Sequence, residues 1–127
     1  MATVREIYQY LDTRAPFSIQ MDFDNAGFLV GHGDRVVNRI LVALDITDEV
    51  AAEAAAVGAE LIVSHHPVIF HPVKSLTDSD PVGRLLLTLA ERGIAAICAH
   101  TNLDAVAGGV NDALAARLGL EEIAQLQ

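Results

Sequence analysis

The chain has 127 residues, of which 52% are hydrophobic and 5% aromatic, and its formal net charge is −9. This length and composition fit one domain whose core is built mainly from aliphatic residues and alanine. The basic residues are scattered without a run. This argues against a nucleic-acid partner or an anionic membrane surface, because both need clustered lysine and arginine.

The amino terminus lacks the apolar h-region of a signal peptide, and no apolar stretch approaches the length that spans a bilayer. The single cysteine, Cys98, lies inside an apolar run. We interpret it as a buried small hydrophobe and not as a reactive thiol. These features predict a soluble, cytoplasmic protein without an intrachain disulfide.

The first element predicted along the chain is a helix. Thr3 and Glu6 have the spacing of a capping box, and apolar residues follow at helical spacing. This helix is expected to end near Arg14, because Pro16 disfavours helical geometry in the residue before it. An acidic turn then leads into a short predicted strand at residues 28–31.

A strand–helix–strand unit is predicted next. The first strand covers residues 39–44, the helix runs from its cap at Thr47 to Gly58, and the second strand covers residues 61–64. Connections this short are typical of parallel strands joined by a right-handed crossover.

The same order of elements recurs in the second half of the chain. A helix is expected after Asp80 and up to Gly93, followed by a strand over residues 94–99. A last helix is expected over residues 110–118, closed by Gly119. The predicted fold is therefore α/β, a mostly parallel sheet flanked by helices, in a single domain of residues 1–127.

Polar side chains follow three predicted strands at the carboxyl ends, where a mostly parallel sheet forms its sites. They are Asp45, the pair His65 and His66, and the segment from His100 to Asp104. Imidazole nitrogens and a carboxylate oxygen are ligands that zinc, iron or manganese accept. Neighbouring side chains of an extended backbone point to opposite faces. The two adjacent histidines can therefore bind one metal if the backbone turns there, and otherwise they suit two metals that lie close together. The alternative to a metal site is that these are hydrogen-bonded loop histidines.

Several other polar residues are weaker candidates. We interpret His32 and His71 as surface histidines, and Asp22 and Asp24 as members of an acidic turn, although both aspartates have ligand oxygens. Ser64 beside the histidine pair suggests a nucleophile and its base. Adjacent residues rarely reach that geometry, however, and no third partner is evident.

Four motifs carry a resemblance to a known family. They are Asp24-Asn25-Ala26-Gly27-Phe28-Leu29-Val30-Gly31, Ala43-Leu44-Asp45-Ile46-Thr47, Ser64-His65-His66-Pro67, and His100-Thr101-Asn102-Leu103-Asp104 with Gly108-Gly109-Val110-Asn111-Asp112. Through these motifs, in this order, the chain resembles the NIF-three-like family, also labelled GTP cyclohydrolase I type 2. A mild departure is Ala26, where the family often has serine.

The resemblance implies a dinuclear metal site. With the ligand types above, the expected cofactors are divalent zinc, iron or manganese, one or two ions per chain. His65 and His66 match the adjacent histidine ligands of the family, and Asp104 matches its aspartate ligand. His100 matches the histidine of the last motif, in or beside the ligand set, and is our candidate for a catalytic general acid or base. The family label implies a metal-dependent hydrolase of the GTP cyclohydrolase type, and the family's ring-shaped hexamers of trimers imply a homo-oligomer.

Family members are at least twice as long, and a histidine and a glutamate near their carboxyl terminus complete the metal site. The chain is therefore expected to correspond to the amino-terminal lobe of a longer protein. Two functions from different classes are compatible with the resemblance. The first is hydrolysis of a small-molecule substrate such as a nucleotide. The second is a non-catalytic metal-binding scaffold or protein-interaction module of the ring, because the family's other name refers to a binding partner.

Overall fold

A computed structural model describes residues 1–124 of the chain. The strands in this part are β1 (Ala2–Thr3), β2 (Gly27–Val30), β3 (Val36–Val37), β4 (Ile40–Ala43), β5 (Leu61–Ser64) and β6 (Ala95–Cys98). The α-helices are α1 (Val4–Arg14), α2 (Asp48–Val57), α3 (Pro81–Glu91), α4 (Thr101–Ala105) and α5 (Val110–Leu118), with a short 3-10 helix at Phe17–Ile19.

Four strands form the central sheet in the order β2-β6-β5-β4. β4, β5 and β6 are parallel, whereas β2 pairs antiparallel with β6. The predicted α/β fold with a mostly parallel sheet is therefore confirmed. Ser64 pairs with Ala43 on one side and with Cys98 on the other, so the three parallel strands end at the same level.

The helices begin and end where local signals predict. Thr3 and Glu6 form the capping box of α1, which ends at Arg14. The Thr47 side chain accepts a hydrogen bond at the start of α2, and Asp80 does the same for α3. Side-chain oxygens thus satisfy amide groups that the first turn of each helix leaves without a partner.

The sheet lies between two apolar layers. On one face α2 and α3 pack against Ile62 and Ala96, and on the other α1 packs against Leu61 and Ile97. β5 and β6 are buried on both faces, as expected for central parallel strands. None of the helices among residues 1–124 has the length and apolar character that crossing a bilayer requires.

The segment after β6 differs from the sequence-based expectation. Residues 101–105 form the short helix α4, which was not among the predicted elements. The backbone amides of Leu103 and Asp104 both donate to the His100 carbonyl, at 2.9 and 3.1 Å. Five residues are too few to show a helical period, so the sequence pattern could not reveal this turn.

Candidate metal centre

Three histidines come together at the carboxyl edge of the sheet. One ring nitrogen from each of His65, His66 and His100 lies within 4.8 Å of the other two. The ring centroids are 5.1 Å apart for the adjacent pair, and 5.1 and 5.6 Å from that of His100. Because β5 ends at Ser64 and the chain bends, the adjacent histidines do not point to opposite faces. This arrangement allows both to serve one metal.

Each histidine of this group has its Nδ1 atom against an oxygen of the protein. The three contacts are His65 with the Ala99 carbonyl at 2.9 Å, His66 with Asp45 Oδ1 at 2.7 Å, and His100 with Asp24 Oδ1 at 2.9 Å. A carbonyl or carboxylate oxygen can only accept, so each Nδ1 carries the proton. The Nε2 atom of a neutral ring then has a free lone pair, as in histidines that ligate a metal.

Asp24 is more than a member of an acidic turn, which was the sequence-based interpretation. Its side chain is 0% exposed. Besides His100, it accepts hydrogen bonds from the Asn25 amide at 2.7 Å, the Thr101 amide at 3.0 Å and the Thr101 hydroxyl. Burial would raise the pKa of this carboxyl, but the hydrogen bonds from Thr101 and His100 outweigh burial and lower the pKa to about 2. Asp24 is therefore a buried carboxylate at neutral pH.

The sequence held one signal for this role of Asp24. The residue opens the first motif of the family resemblance, Asp24-Asn25-Ala26-Gly27. Composition and spacing alone could not distinguish it from Asp22, which is exposed.

Asp104, the fourth predicted site residue, lies at the margin of the histidine group. Its Oδ1 atom is 3.5 Å from His65 Nε2, the ring nitrogen that the Ala99 carbonyl leaves free. The structure therefore brings the predicted residues close to one another. The potential ligand atoms that lie closest together belong to His65, His66 and His100, and Asp104 is not a member of this group.

Ser64 and Cys98 support the backbone of the histidine pair. The Ser64 hydroxyl donates to the His66 carbonyl at 2.9 Å, so it is not directed at an imidazole as a nucleophile would be. The Cys98 thiol is buried and donates to the His65 carbonyl at 2.9 Å. Burial, with a contribution from the Asp24 charge, raises the pKa of this thiol to about 12. The interpretation of Cys98 as a buried small hydrophobe is confirmed.

A groove of about 440 Å³ begins at Pro67, the residue after the histidine pair. Its walls come from the loop of residues 67–75 and from the start of α3. The lining is largely apolar, but it includes Lys74, the one lysine of the chain. His71 also lines the groove and is exposed, as predicted for a surface histidine.

Comparison with known proteins places the chain among relatives of greater length. A sequence model described as Duf34/NIF3 (NGG1p interacting factor 3) matches residues 2–127. A protein of Halalkalibacterium halodurans, named GTP cyclohydrolase 1 type 2 homolog, is 38% identical over 123 residues, which are 97% of this chain and 33% of the relative. A protein of the same name from Clostridium perfringens is 39% identical over 119 residues, which are 94% of this chain and 45% of the relative.

A solved structure agrees with these sequence matches. The chain superposes on a Bacillus cereus protein described as related to NIF3 with a TM-score of 0.90 and 37% identity. The match covers 96% of this chain and 34% of the other. The chain thus spans between a third and a half of the length of the curated relatives it matches.

Proposed function

The chain belongs to the Duf34/NIF3 family, and we propose that it is a metal-dependent hydrolase whose metal lies at the carboxyl edge of the sheet. His65, His66 and Asp104 would hold the metal. His100, predicted from the sequence as a general acid or base, is better placed as a further ligand, because its ring nitrogen lies within 4.8 Å of those of the adjacent pair.

One observation carries this proposal, namely the shared hydrogen-bond pattern of the three histidines. Each Nδ1 atom donates its proton to an oxygen, which leaves the three Nε2 lone pairs free to bind a metal ion. Imidazole with a nearby carboxylate suits zinc, iron or manganese. Such a metal, when bound, supplies Lewis acidity and lowers the pKa of water toward ~7.

The metal content of the purified chain tests the proposal. We expect at least one equivalent of zinc, iron or manganese per chain, lost in His66→Ala and retained in His71→Ala. The control removes an exposed histidine that lies outside the ligand group. A chain that binds none of the three metals after loading would contradict the proposed centre.

For the substrate we propose a nucleotide, in line with the name of the relatives, GTP cyclohydrolase 1 type 2 homolog. In a chain with a net charge of −9, an anionic substrate needs a local cation. Lys74 supplies one in the groove that begins beside the histidine pair, and the apolar lining there suits a flat ring.

Formate release from GTP by the metal-loaded chain is the direct assay of this substrate. We expect Lys74→Met to weaken GTP binding by about tenfold, the loss of one charge-assisted contact, and Lys74→Arg to retain it. Equal GTP affinities for Lys74→Met and the wild-type chain would remove Lys74 from the substrate site.

The second candidate function is a non-catalytic scaffold in a ring-shaped homo-oligomer. It is favoured by the edge strand β4, where Val42 is 76% exposed, and by Leu44 just beyond this strand, which is 61% exposed. A binding function of this kind would survive the double change His65→Ala and His66→Ala, whereas hydrolysis would not.

A cytoplasmic location is also part of the proposal, and cell fractionation tests it.

A further inference from the structure

We propose that Asp24 is a positioning residue that keeps the proton of His100 on Nδ1 and so directs the Nε2 lone pair of His100 to the metal. The proposal rests on the metal-binding part of the proposed function and is independent of hydrolysis.

The hydrogen bonds of Asp24 leave His100 one neutral tautomer. Asp24 Oδ1 faces His100 Nδ1 and the Asn25 amide, while Oδ2 faces the amide and hydroxyl of Thr101. An ionised carboxylate is an acceptor only, so every group around it must donate. A buried acceptor of this kind costs free energy when a facing group cannot donate. The neutral His100 ring therefore carries its proton on Nδ1.

Asp24 differs in burial from Asp45, the second carboxylate that accepts from a histidine Nδ1 atom in this group. The Asp45 side chain is 53% exposed, so water can replace its contact with His66. The Asp24 side chain is 0% exposed, and protein donors supply its hydrogen bonds. The Asp24 contact should therefore affect metal affinity more strongly.

The contact between Asp24 and His100 depends on the register of the sheet. Asp24 precedes β2 and His100 follows β6, and these strands are antiparallel neighbours with Gly27 opposite Cys98. The same carboxylate accepts from the Thr101 amide at the start of α4. Asp24 thus holds the ring of His100 and the backbone beside it, and a test must separate the two effects.

The change Asp24→Asn replaces one acceptor oxygen by a donor. With the amide nitrogen toward His100, Nδ1 must accept and the proton moves to Nε2, where it blocks the ligand position. With the amide nitrogen toward Thr101, two donors face each other and the start of α4 must shift. Either result misplaces the His100 lone pair. Loss of such an outer partner typically weakens metal binding by about 10–100-fold.

Two control variants separate positioning from general structure. Asp22→Asn makes the same chemical change at an exposed residue two positions earlier. Thr101→Val removes the hydroxyl bond to Asp24 but leaves the carboxylate against His100. We expect both controls to bind zinc as the wild-type chain does, and Asp24→Asn to bind it about 10–100-fold more weakly in competition with a chelator.

The decisive readout is the tautomer of His100 in the metal-free chain, measured by nitrogen NMR at neutral pH. The proposal requires the proton on Nδ1 in the wild type. A proton on Nε2 would overturn it, as would a folded Asp24→Asn variant with wild-type zinc affinity, or a Thr101→Val variant that loses as much affinity. Because the wild-type tautomer needs neither a variant nor turnover, a proton on Nε2 overturns the proposal even if Asp24→Asn fails to fold or the chain hydrolyses nothing.

Discussion

At the scale of single residues, buried polar groups hold the backbone beneath the candidate metal centre. Asn102 is fully buried, and its side chain donates to the Ala15 carbonyl at 2.7 Å. The Asn102 side-chain oxygen accepts from the His100 amide at 2.9 Å. Asn102 therefore ties the end of α1 to the residue that carries the third imidazole.

The change Asn102→Ala should lower the free energy of unfolding by about 2–4 kcal/mol, because the buried Ala15 carbonyl and the partly buried His100 amide both lose their partner. Urea denaturation measures this change. Asn111→Ala is the matched control, since Asn111 is exposed and water can replace the bond of its side chain to the Asp104 carbonyl. An equal decrease in the free energy of unfolding in both variants would show that the buried bonds of Asn102 stabilise the chain no more than an exposed bond does.

Cys98 should be nearly inert in the folded chain, because the thiolate is the reactive form and the pKa of this thiol rises from 9.0 to about 12. At pH 8 we expect iodoacetamide to label the native chain at least ~100-fold more slowly than the chain in concentrated urea. The folded state favours the protonated thiol, so its contribution to stability is present below pH 9 and lost as the pH rises toward 12. Equal labelling rates in the two conditions would place the thiol at the surface.

At the scale of elements, α3 contains a glycine at a position where alanine should destabilise the helix, although alanine usually stabilises one. Gly83 is buried in the first turn, and its amide donates to Asp80 Oδ1 at 3.0 Å. A methyl group at this position would overlap the Thr77 carbonyl oxygen and lie 2.9 Å from Asp80 Oδ2. The helix start and the preceding loop therefore pack too closely for any side chain.

Gly83→Ala should lower the melting temperature, although alanine is preferred over glycine inside helices by ~1 kcal/mol. The pair Arg84→Ala and Arg84→Gly at the exposed neighbouring position reports the ordinary preference in the same helix. Thermal unfolding followed by circular dichroism compares the three variants. A higher melting temperature for Gly83→Ala would mean that the loop at Thr77 moves aside without a loss of stability.

At the scale of the whole molecule, the sheet has an apolar edge. β4 is the last strand in the order β2-β6-β5-β4, and its Val42 side chain is 76% exposed. Leu44, just beyond the strand, is 61% exposed. An edge strand with apolar side chains favours pairing with another chain, because its backbone groups have no neighbour on one side.

We expect the chain to associate with itself at high concentration, and Val42→Lys to shift it toward the monomer, because a charge at an edge opposes pairing. Sedimentation velocity over a range of concentrations measures this shift. Thr88→Lys places the same charge on α3, which contacts β2 at the opposite end of the sheet, and should leave association unchanged. A wild-type chain that stays monomeric throughout the range would contradict the proposed homo-oligomer.

Local sequence patterns were enough to predict the features that depend on near neighbours. The capping box at Thr3 and Glu6, the caps at Thr47 and Asp80, and the parallel strand–helix–strand units were all predicted, because a few adjacent residues specify each of them. The positions of His65, His66 and His100 after strand ends followed from the same local patterns.

Long-range packing determines which groups hold these histidines in place. The bond between Asp24 and His100 joins residues 76 positions apart, and it exists because β2 pairs antiparallel with β6 in one register. No local pattern specifies that register, since it results from packing both faces of the sheet at once. The sequence therefore indicated which residues carry the chemistry, and the fold decided which carboxylate orients them.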